Sequence, residues 1–202
     1  KLAGTRIIPL VIEEEKMEAA KKAAAEATGG CPILELKPFL HKKVGIVTTG
    51  NEVFYGRIKD TFTPVIRGKL SEFDTEVIDH VTWNDDDTKV TASILDMIQK
   101  GADVVVCTGG MSVDPDDKTP LAIRNTGADI VSYGAPVLPG AMFLLAYYQV
   151  KDGENPRTVA IMGLPGCVMY ARRTIFDLVL PRIMADDQVT ADDLAALGQG
   201  GL

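Results

Sequence analysis

Residues 103–110 read DVVVCTGG, a strand-like apolar run that ends in a threonine and two glycines. The same pattern recurs at residues 44–52, VGIVTTGNE, and at residues 158–166, TVAIMGLPG. In an open α/β sheet, the loops that leave the carboxyl ends of parallel strands line one crevice, where ligands bind. Glycines let a backbone approach a ligand closely, and the helix N-termini beyond such turns favour anions. The three turns therefore predict one binding site for a phosphorylated ligand.

The length, charge and cysteine content of the chain argue against several classes of protein. The 202 residues suffice for one substantial domain with extra elements, and 46% hydrophobic content is typical of a globular protein. The net charge of −7 argues against a broad nucleic-acid or anionic-membrane surface. The three cysteines, Cys31, Cys107 and Cys167, form no CxxC pair, which favours a reducing, cytoplasmic compartment. No apolar run approaches 18 residues, so no membrane span is expected.

The order of patterns beyond residue 41 predicts alternating strands and helices, which implies a parallel sheet covered on both faces. Strands are predicted at 44–48, 76–81, 103–107 and 158–162, helices at 63–73, 85–100, 119–126 and 167–184, and two further apolar elements at 130–133 and 141–150. In the helix 119–126, Thr119 and Pro120 are predicted as N-cap and first helical residue.

The two ends of the chain are predicted to lie outside the main domain. The apolar run at residues 6–12 predicts a strand, and Pro9 places that strand at the edge of a sheet. Residues 13–27 predict a helix that ends at Thr28-Gly29-Gly30. Residues 33–40 predict a connector or a strand. We expect an N-terminal strand–helix appendage over 1–41, as a fragment of a longer protein, a domain over 42–185, and a tail with one short acidic helix over 186–202.

The loop after the strand 103–107 has the chemistry of a phosphate cradle. Gly109 and Gly110 can present backbone N–H groups, Ser112 and Thr119 add hydroxyls, and Asp117 can hold a cation. Because the acidic side chains of this loop would repel a phosphate, a bridging Mg²⁺ is the simplest arrangement. The alternative is a solvated surface loop in which Thr119 only caps a helix.

The other turns also have two interpretations each. Thr49-Gly50-Asn51-Glu52 offers polar groups at a strand end, although Glu52 can equally be a surface acid at a helix start. Leu164-Pro165-Gly166 either presents N–H groups to a ligand or forms a tight strand-to-helix corner. Asp85-Asp86-Asp87 exceeds what helix capping needs, so one of these acids can reach the crevice. His41 and His80 belong to no metal-ligand spacing, and no role is predicted for either.

Together these motifs resemble the molybdopterin-binding domain family of molybdenum cofactor biosynthesis. That family includes molybdopterin adenylyltransferases, molybdotransferases, gephyrin-type proteins and competence/damage-inducible proteins. The resemblance covers residues 42–184. It rests on Thr49-Gly50-Asn51-Glu52, Asp60, Asp85, Thr108-Gly109-Gly110, Ser112, Asp117-Lys118-Thr119-Pro120 and Leu164-Pro165-Gly166.

The resemblance implies a three-layer α/β sandwich with a mostly parallel central sheet, a homo-oligomer (dimer or trimer) and molybdopterin as ligand. In the adenylyltransferase branch Mg²⁺ and ATP take part: Asp117 would place metal and phosphates, and Asp85 would act at the nucleotide-transfer step. In the molybdotransferase branch the adenylylated pterin is hydrolysed as molybdate is inserted. The implied ligand-binding residues are Thr49, Gly50, Asn51, Glu52, Thr108, Gly109, Gly110, Ser112, Thr119, Leu164, Pro165 and Gly166.

Three departures from the family pattern lie at the presumed ligand edge. Asn51 replaces an aspartate of the molybdotransferase-like pattern, Asp114 replaces a glycine, and Cys167-Val168 stands where Asn-Pro often follows. The leading hypothesis is a molybdenum cofactor biosynthesis protein that binds molybdopterin or its adenylylated form; a transferase activity is favoured, but catalysis and binding alone are both left open. The alternatives are a non-catalytic molybdopterin-binding or sensing module of a larger protein, and a competence-protein-type nucleotide pyrophosphatase.

Overall fold

The computed structural model of the chain describes residues 11–32, 34–112, 114, 117–151 and 156–199. The chain divides into two compact units, Lys1–Lys37 and Pro38–Leu202. In the described part of the chain, no helix is both long enough and apolar enough to cross a membrane.

The first unit contains helix α1, Glu14–Ala27, close to the predicted 13–27. Glu14 and Glu15 occupy its first turn, where carboxylates complement the helix dipole. Gly29, with φ of 60°, follows the C-cap Thr28 and ends the helix. Of the predicted strand 6–12, residues 6–10 lie outside the described residues. Residues 34–41 form neither helix nor strand, so of the two interpretations the connector is correct.

The second unit is built on one sheet of six strands in the order β2-β1-β3-β6-β5-β4. Strands β1, β2, β3 and β6 run parallel, and β5 is antiparallel to both β4 and β6. The mostly parallel sheet is therefore confirmed. The elements are β1 Lys42–Thr49, α2 Asn51–Phe54, α3 Phe62–Leu70, β2 Thr75–Trp83, α4 Asp87–Gln99, β3 Val104–Thr108, α5 Thr119–Asn125, β4 Asp129–Tyr133, β5 Leu144–Val150, β6 Arg157–Leu164, α6 Ile175–Met184 and α7 Ala191–Ala196.

Helices cover both faces of this sheet, because its central strands are apolar on both sides. Val44, Ile46 and Val106 pack in a cluster with side chains of α3 and α6. Val47 and Val105 pack in a second cluster with side chains of α4 and α5. Alternate residues of each strand thus point into different clusters, which is the three-layer arrangement.

The predicted helix 167–184 is wrong in its first half. Residues Gly166–Met169 form one 3₁₀ turn, and α6 begins only at Ile175. The cause is a capping box: the Thr174 side chain accepts from backbone N–H of the first turn, while Asp177 accepts from the Thr174 N–H.

The segment predicted as a tail also packs in the core. It carries the expected short acidic helix, α7, and Val189 and Leu194 are both buried in the cluster with α3 and α6. Residues 200–202 lie outside the described residues.

Candidate functional site

Four loops meet at one edge of the sheet, because β2, β1, β3 and β6 are adjacent and parallel. They contain Asp85, Gly50–Glu52, Gly109–Gly110 and Pro165–Gly166, and so include most of the sequence-predicted site residues. The chain connects β1 to β2 on one side and β3 lies on the other, so the switch point of the topology falls between β1 and β3. Ligands bind at such switch points in open α/β sheets.

Three buried threonines join the loops on the two sides of this switch point. The Thr49 hydroxyl donates to the Thr108 carbonyl oxygen at 3.3 Å and lies 3.1 Å from the Thr119 hydroxyl. The Thr119 hydroxyl donates to the Gly109 carbonyl oxygen at 2.9 Å. Thr119 is the first residue of α5, whose N-cap is Lys118, so the prediction of Thr119 as N-cap is wrong. Its hydroxyl holds the glycine turn in place.

Gly109 and Gly110 cannot be replaced without strain. Their φ angles are 82° and 54°, the left-handed region that glycine adopts most easily. A Cβ on Gly109 would overlap the Thr49 carbonyl oxygen, and one on Gly110 would lie 2.9 Å from the Thr119 hydroxyl. Among the described residues, neither glycine's N–H donates a hydrogen bond. Consecutive backbone N–H groups at a turn can form an anion-binding concavity.

The loop that follows is closed by its own hydrogen bonds. The Ser112 N–H donates to Asp117 Oδ2 at 2.5 Å, and the Asp117 N–H donates to the Asp114 carbonyl oxygen at 3.0 Å. The Tyr133 hydroxyl donates to the Ser112 carbonyl oxygen at 3.2 Å. Burial and then the Asp117 carboxylate raise the pKa of Tyr133. Asp117 thus orders the backbone next to the glycine turn. Residues 113, 115 and 116 lie outside the described residues.

Asp85, in the loop after β2, is held by Asn51, which follows the neighbouring strand β1. The Asn51 side-chain amide donates to Asp85 Oδ2 at 2.7 Å. Helix capping falls to Asp86, which accepts from the Lys89 N–H at 3.1 Å. That backbone hydrogen bond lowers the pKa of Asp86. Asp85 is therefore not needed as a cap.

The remaining predicted residues form the walls. Gly50, with φ of 138°, donates its N–H to the Trp83 carbonyl oxygen at 3.0 Å. Glu52 is exposed in the first turn of α2, as in the surface-acid interpretation. Leu164 and Pro165 are buried and Gly166 is exposed at the start of the 3₁₀ turn, which is the tight corner. A cavity of about 220 Å³ lies beside the turn at Gly50, lined by Thr48–Val53, Ile58–Phe62 and Met169.

Asp60, which belongs to the resemblance, and His80, for which no role was predicted, also meet near this cavity. Asp60 Oδ1 accepts from the N–H groups of Phe62 and Thr63 at 2.9 and 3.0 Å, which fixes the start of α3. Asp60 Oδ2 accepts from the Thr63 hydroxyl at 2.5 Å, and His80 lies against the same hydroxyl at 3.0 Å. In the sequence, the spacing Asp60-x-x-Thr63 at the start of a predicted helix is the signal that could have identified the contact between these two side chains.

The carboxylates of this site are suited to Mg²⁺ only when a phosphorylated ligand supplies further oxygen atoms. In the part of the chain that the structure describes, no three His, Cys, Asp or Glu side chains are grouped to hold a metal. Mg²⁺ keeps several waters and commonly takes one or two carboxylates plus substrate phosphates. Asp117 and Asp85 supply hard oxygen donors of that kind, so the residues fit a metal that arrives with a phosphorylated ligand.

A family model described as "Probable molybdopterin binding domain" matches residues 45–185, which contain every loop of this crevice. The chain belongs to this molybdopterin-binding domain family. The resemblance in the sequence is thereby confirmed, and so is the placement of the chain among relatives of molybdenum cofactor biosynthesis proteins.

Curated relatives of the family are much longer than the match. The molybdopterin molybdenumtransferase of Haemophilus influenzae is 28% identical over 158 residues, 75% of this chain and 37% of that protein. A CinA-like protein of Mycobacterium tuberculosis is 32% identical over 90 residues, 44% of this chain and 21% of that protein. The chain thus spans about a fifth to somewhat over a third of these relatives' lengths.

Solved structures share the fold. The tungsten cofactor synthesizing protein MoaB from Pyrococcus furiosus superposes with a TM-score of 0.57 at 21% identity, covering 77% of this chain and 100% of that chain. The protein CinA from Thermoplasma acidophilum gives a TM-score of 0.51 at 20% identity, covering 71% of this chain and 98% of that chain. The predicted α/β fold is confirmed by these likenesses.

Proposed function

We propose that this chain binds molybdopterin, or its adenylylated form, in the crevice between β1 and β3. The observation that carries the proposal is the Gly109–Gly110 turn, whose N–H groups have no hydrogen-bond partner among the described residues and which Thr49 and Thr119 hold at the switch point. Such a concavity suits the terminal phosphate of the pterin. Membership of the molybdopterin-binding family supports this choice of ligand.

The same residues support a magnesium-dependent nucleotidyl transfer. In that reaction a phosphate oxygen of molybdopterin attacks the α-phosphorus of ATP, the bond to the β-phosphate oxygen breaks, and pyrophosphate leaves. Mg²⁺ bound at Asp117 would neutralise charge on the phosphates. Asp85, oriented by Asn51, would act at the transfer step. Insertion of molybdate into the adenylylated pterin uses the same site, with hydrolysis of the nucleotide bond.

Anaerobic calorimetry with molybdopterin, with and without Mg²⁺ and ATP, tests the proposal. We expect binding by the wild-type chain, weak binding by Gly110→Val because its side chain fills the concavity, and no AMP transfer by Asp117→Asn. The matched control is Asp129→Asn, an exposed carboxylate on β4. Absence of binding by the wild type would refute the proposed ligand. Binding without AMP transfer would identify a binding or sensing module instead of an enzyme.

A second candidate is a nucleotide pyrophosphatase activity of the competence-protein type. It is favoured by the similarity to CinA-like proteins, at 32% identity over 90 residues. In this case the attacking group is water and the products are two nucleoside or sugar phosphates. Release of two monophosphates from a dinucleotide, with no response to molybdopterin, would favour this activity over the first.

A further inference from the structure

His80, whose side chain is partly buried, lies in a cluster of buried and partly buried polar groups beneath the crevice, on the face of the sheet covered by α3 and α6. Its Nε2 atom is 3.0 Å from the Thr63 hydroxyl, 3.2 Å from the Thr48 hydroxyl and 3.8 Å from Asp60 Oδ2. The Thr108 hydroxyl extends this cluster to β3, because it donates to the Thr48 hydroxyl at 3.3 Å. The exposed fractions of Thr48, Thr63 and Thr108 are 1%, 7% and 0%.

Each hydroxyl of the cluster has only one proton to donate, so the protonation state of His80 determines which hydrogen bonds the cluster can form. The Thr63 hydroxyl gives its one proton to the Asp60 carboxylate, which only accepts. The Thr108 hydroxyl gives its proton to Thr48. The Thr48 proton then has two acceptors within reach, the Thr63 oxygen at 3.2 Å and Nε2 of His80 at 3.2 Å. In the neutral tautomer that carries its proton on Nδ1, Nε2 is an acceptor; protonation of the ring removes this acceptor and turns Nε2 into a donor.

We propose that His80 is a positioning residue for the ligand crevice: its neutral ring holds the hydroxyls of Thr48 and Thr63, and protonation of the ring loosens them and weakens ligand binding. The route to the crevice is short. Thr48 precedes Thr49 on β1, Thr108 precedes the glycine turn, and Thr63 anchors Asp60, which lines the cavity beside Gly50. The effect on the ligand rests on the proposed function, whereas the effect on the loops does not.

Burial of the ring favours its neutral form, against two neighbouring carboxylates. Burial lowers the pKa of His80, the Asp60 carboxylate raises it, Arg67 of α3 lowers it and Asp79 of β2 raises it, with a net decrease. A protonated ring would attract Asp60 Oδ2, now 3.8 Å away, and compete with its hydrogen bond from Thr63. Because Asp60 also accepts from two backbone N–H groups of α3, its displacement would disturb the loop before that helix.

The test begins with the unliganded chain, whose two histidines make the measurement direct. Proton NMR follows the ring signals of His41 and His80 from about pH 8 to about pH 5, with assignment by His41→Gln. We expect the amide signals of Gly50, Gly109 and Gly110 to move with the titration of His80. His41, whose side chain is 53% exposed, is the matched control, and its titration should leave these amides unchanged. If the glycine amide signals do not change as His80 titrates, the positioning role is refuted.

The second measurement is molybdopterin affinity as a function of pH in wild type, His80→Gln and His41→Gln. We expect wild type to lose about three- to tenfold in affinity between about pH 7.5 and pH 5.5, beyond the loss seen in His80→Gln. Subtracting His80→Gln removes the contribution of the ligand's own phosphate, whose second pKa is about 6. A rise in affinity on acidification would show that His80 acts by its charge, and equal pH profiles would show no role; both refute the proposal. If wild type binds no molybdopterin, the proposed function fails and the amide titration alone decides the role of His80.

Discussion

Replacing Thr119 by valine removes one hydroxyl and keeps the shape of the side chain, so it tests the junction between the two halves of the crevice. The Thr119 side chain is 1% exposed, donates to the Gly109 carbonyl oxygen at 2.9 Å and lies 3.1 Å from the Thr49 hydroxyl. A net hydrogen bond contributes about 1 kcal/mol, and a buried acceptor left without its donor costs about 1–3 kcal/mol. Because no cavity is created, we expect a loss of about 2 kcal/mol in the free energy of unfolding.

For a unit of this size, such a loss lowers Tm by about 4–8 °C. The matched control is Thr158→Val on β6, an exposed threonine whose hydroxyl donates to Gln149 Oε1 at 2.9 Å, and its stability should change by less than about 0.5 kcal/mol. Molybdopterin affinity should fall about tenfold in Thr119→Val and recover in Thr119→Ser, which restores the hydroxyl. If Thr119→Val matches Thr158→Val in Tm and wild type in affinity, the junction does not hold the glycine turn.

Two further changes test the charges of the domain. Asn51→Asp replaces the donor 2.7 Å from Asp85 by a second carboxylate; we expect a loss of about 1 kcal/mol at neutral pH, restored by millimolar Mg²⁺. Melting curves with and without Mg²⁺ check this, and a response equal to that of Asn51→Ala would contradict it. Lys69→Met removes the buried cation 2.6 Å from Asp177, where the two side chains are 11% and 5% exposed, and leaves the carboxylate, among the described residues, only the exposed cation Arg173 at 3.3 Å; we expect a cost of about 3 kcal/mol. Burial raises the pKa of Asp177, but hydrogen bonds from Lys69 and Thr174 lower it overall. The wild-type advantage is therefore present above about pH 3.9 and shrinks as the pH falls through the folded-state pKa. Denaturant unfolding at several pH values measures it, and an advantage that grows in acid would refute the assignment.

Strands β1, β3 and β6 could be predicted because each is an apolar run that ends at a polar or glycine turn, whereas β2 was predicted from its alternation of apolar and polar residues. Their parallel direction followed from the alternation with helices, but the reversed direction of β5 did not, since two apolar elements in succession fit either direction. The false helix at 167–174 arose because Thr174-Ile-Phe-Asp177 is a capping box with aspartate in place of the usual glutamate or glutamine.

The roles of Thr119 and His80 depend on contacts between distant parts of the chain. Thr119 followed by proline fits a helix N-cap, and only the approach of Thr49 and Gly109 assigns its hydroxyl elsewhere. His80 was missed for a reason visible in the register of β2. Val44 pairs with Val77 and Gly45 with Asp79, so a bulge at Ile78 shifts every later residue of the strand to the opposite face. Strict alternation from Val77 would place His80 toward α4 instead of α3.

The dipeptide Thr48-Thr49 connects the helices on both faces of the sheet to the same crevice. Successive residues of a strand point to opposite faces, so Thr48 meets Thr63 of α3 and Thr49 meets Thr119 of α5. Both threonines also contact Thr108, the last residue of β3 before the glycine turn. A shift of either helical layer must therefore be transmitted to the carboxyl ends of β1 and β3, between which the ligand is proposed to bind. Because the two sets of hydrogen bonds share Thr108 and meet at adjacent residues of β1, Thr119→Val should loosen the glycine turn and, by reciprocal coupling, also shift the titration of His80, which proton NMR measures.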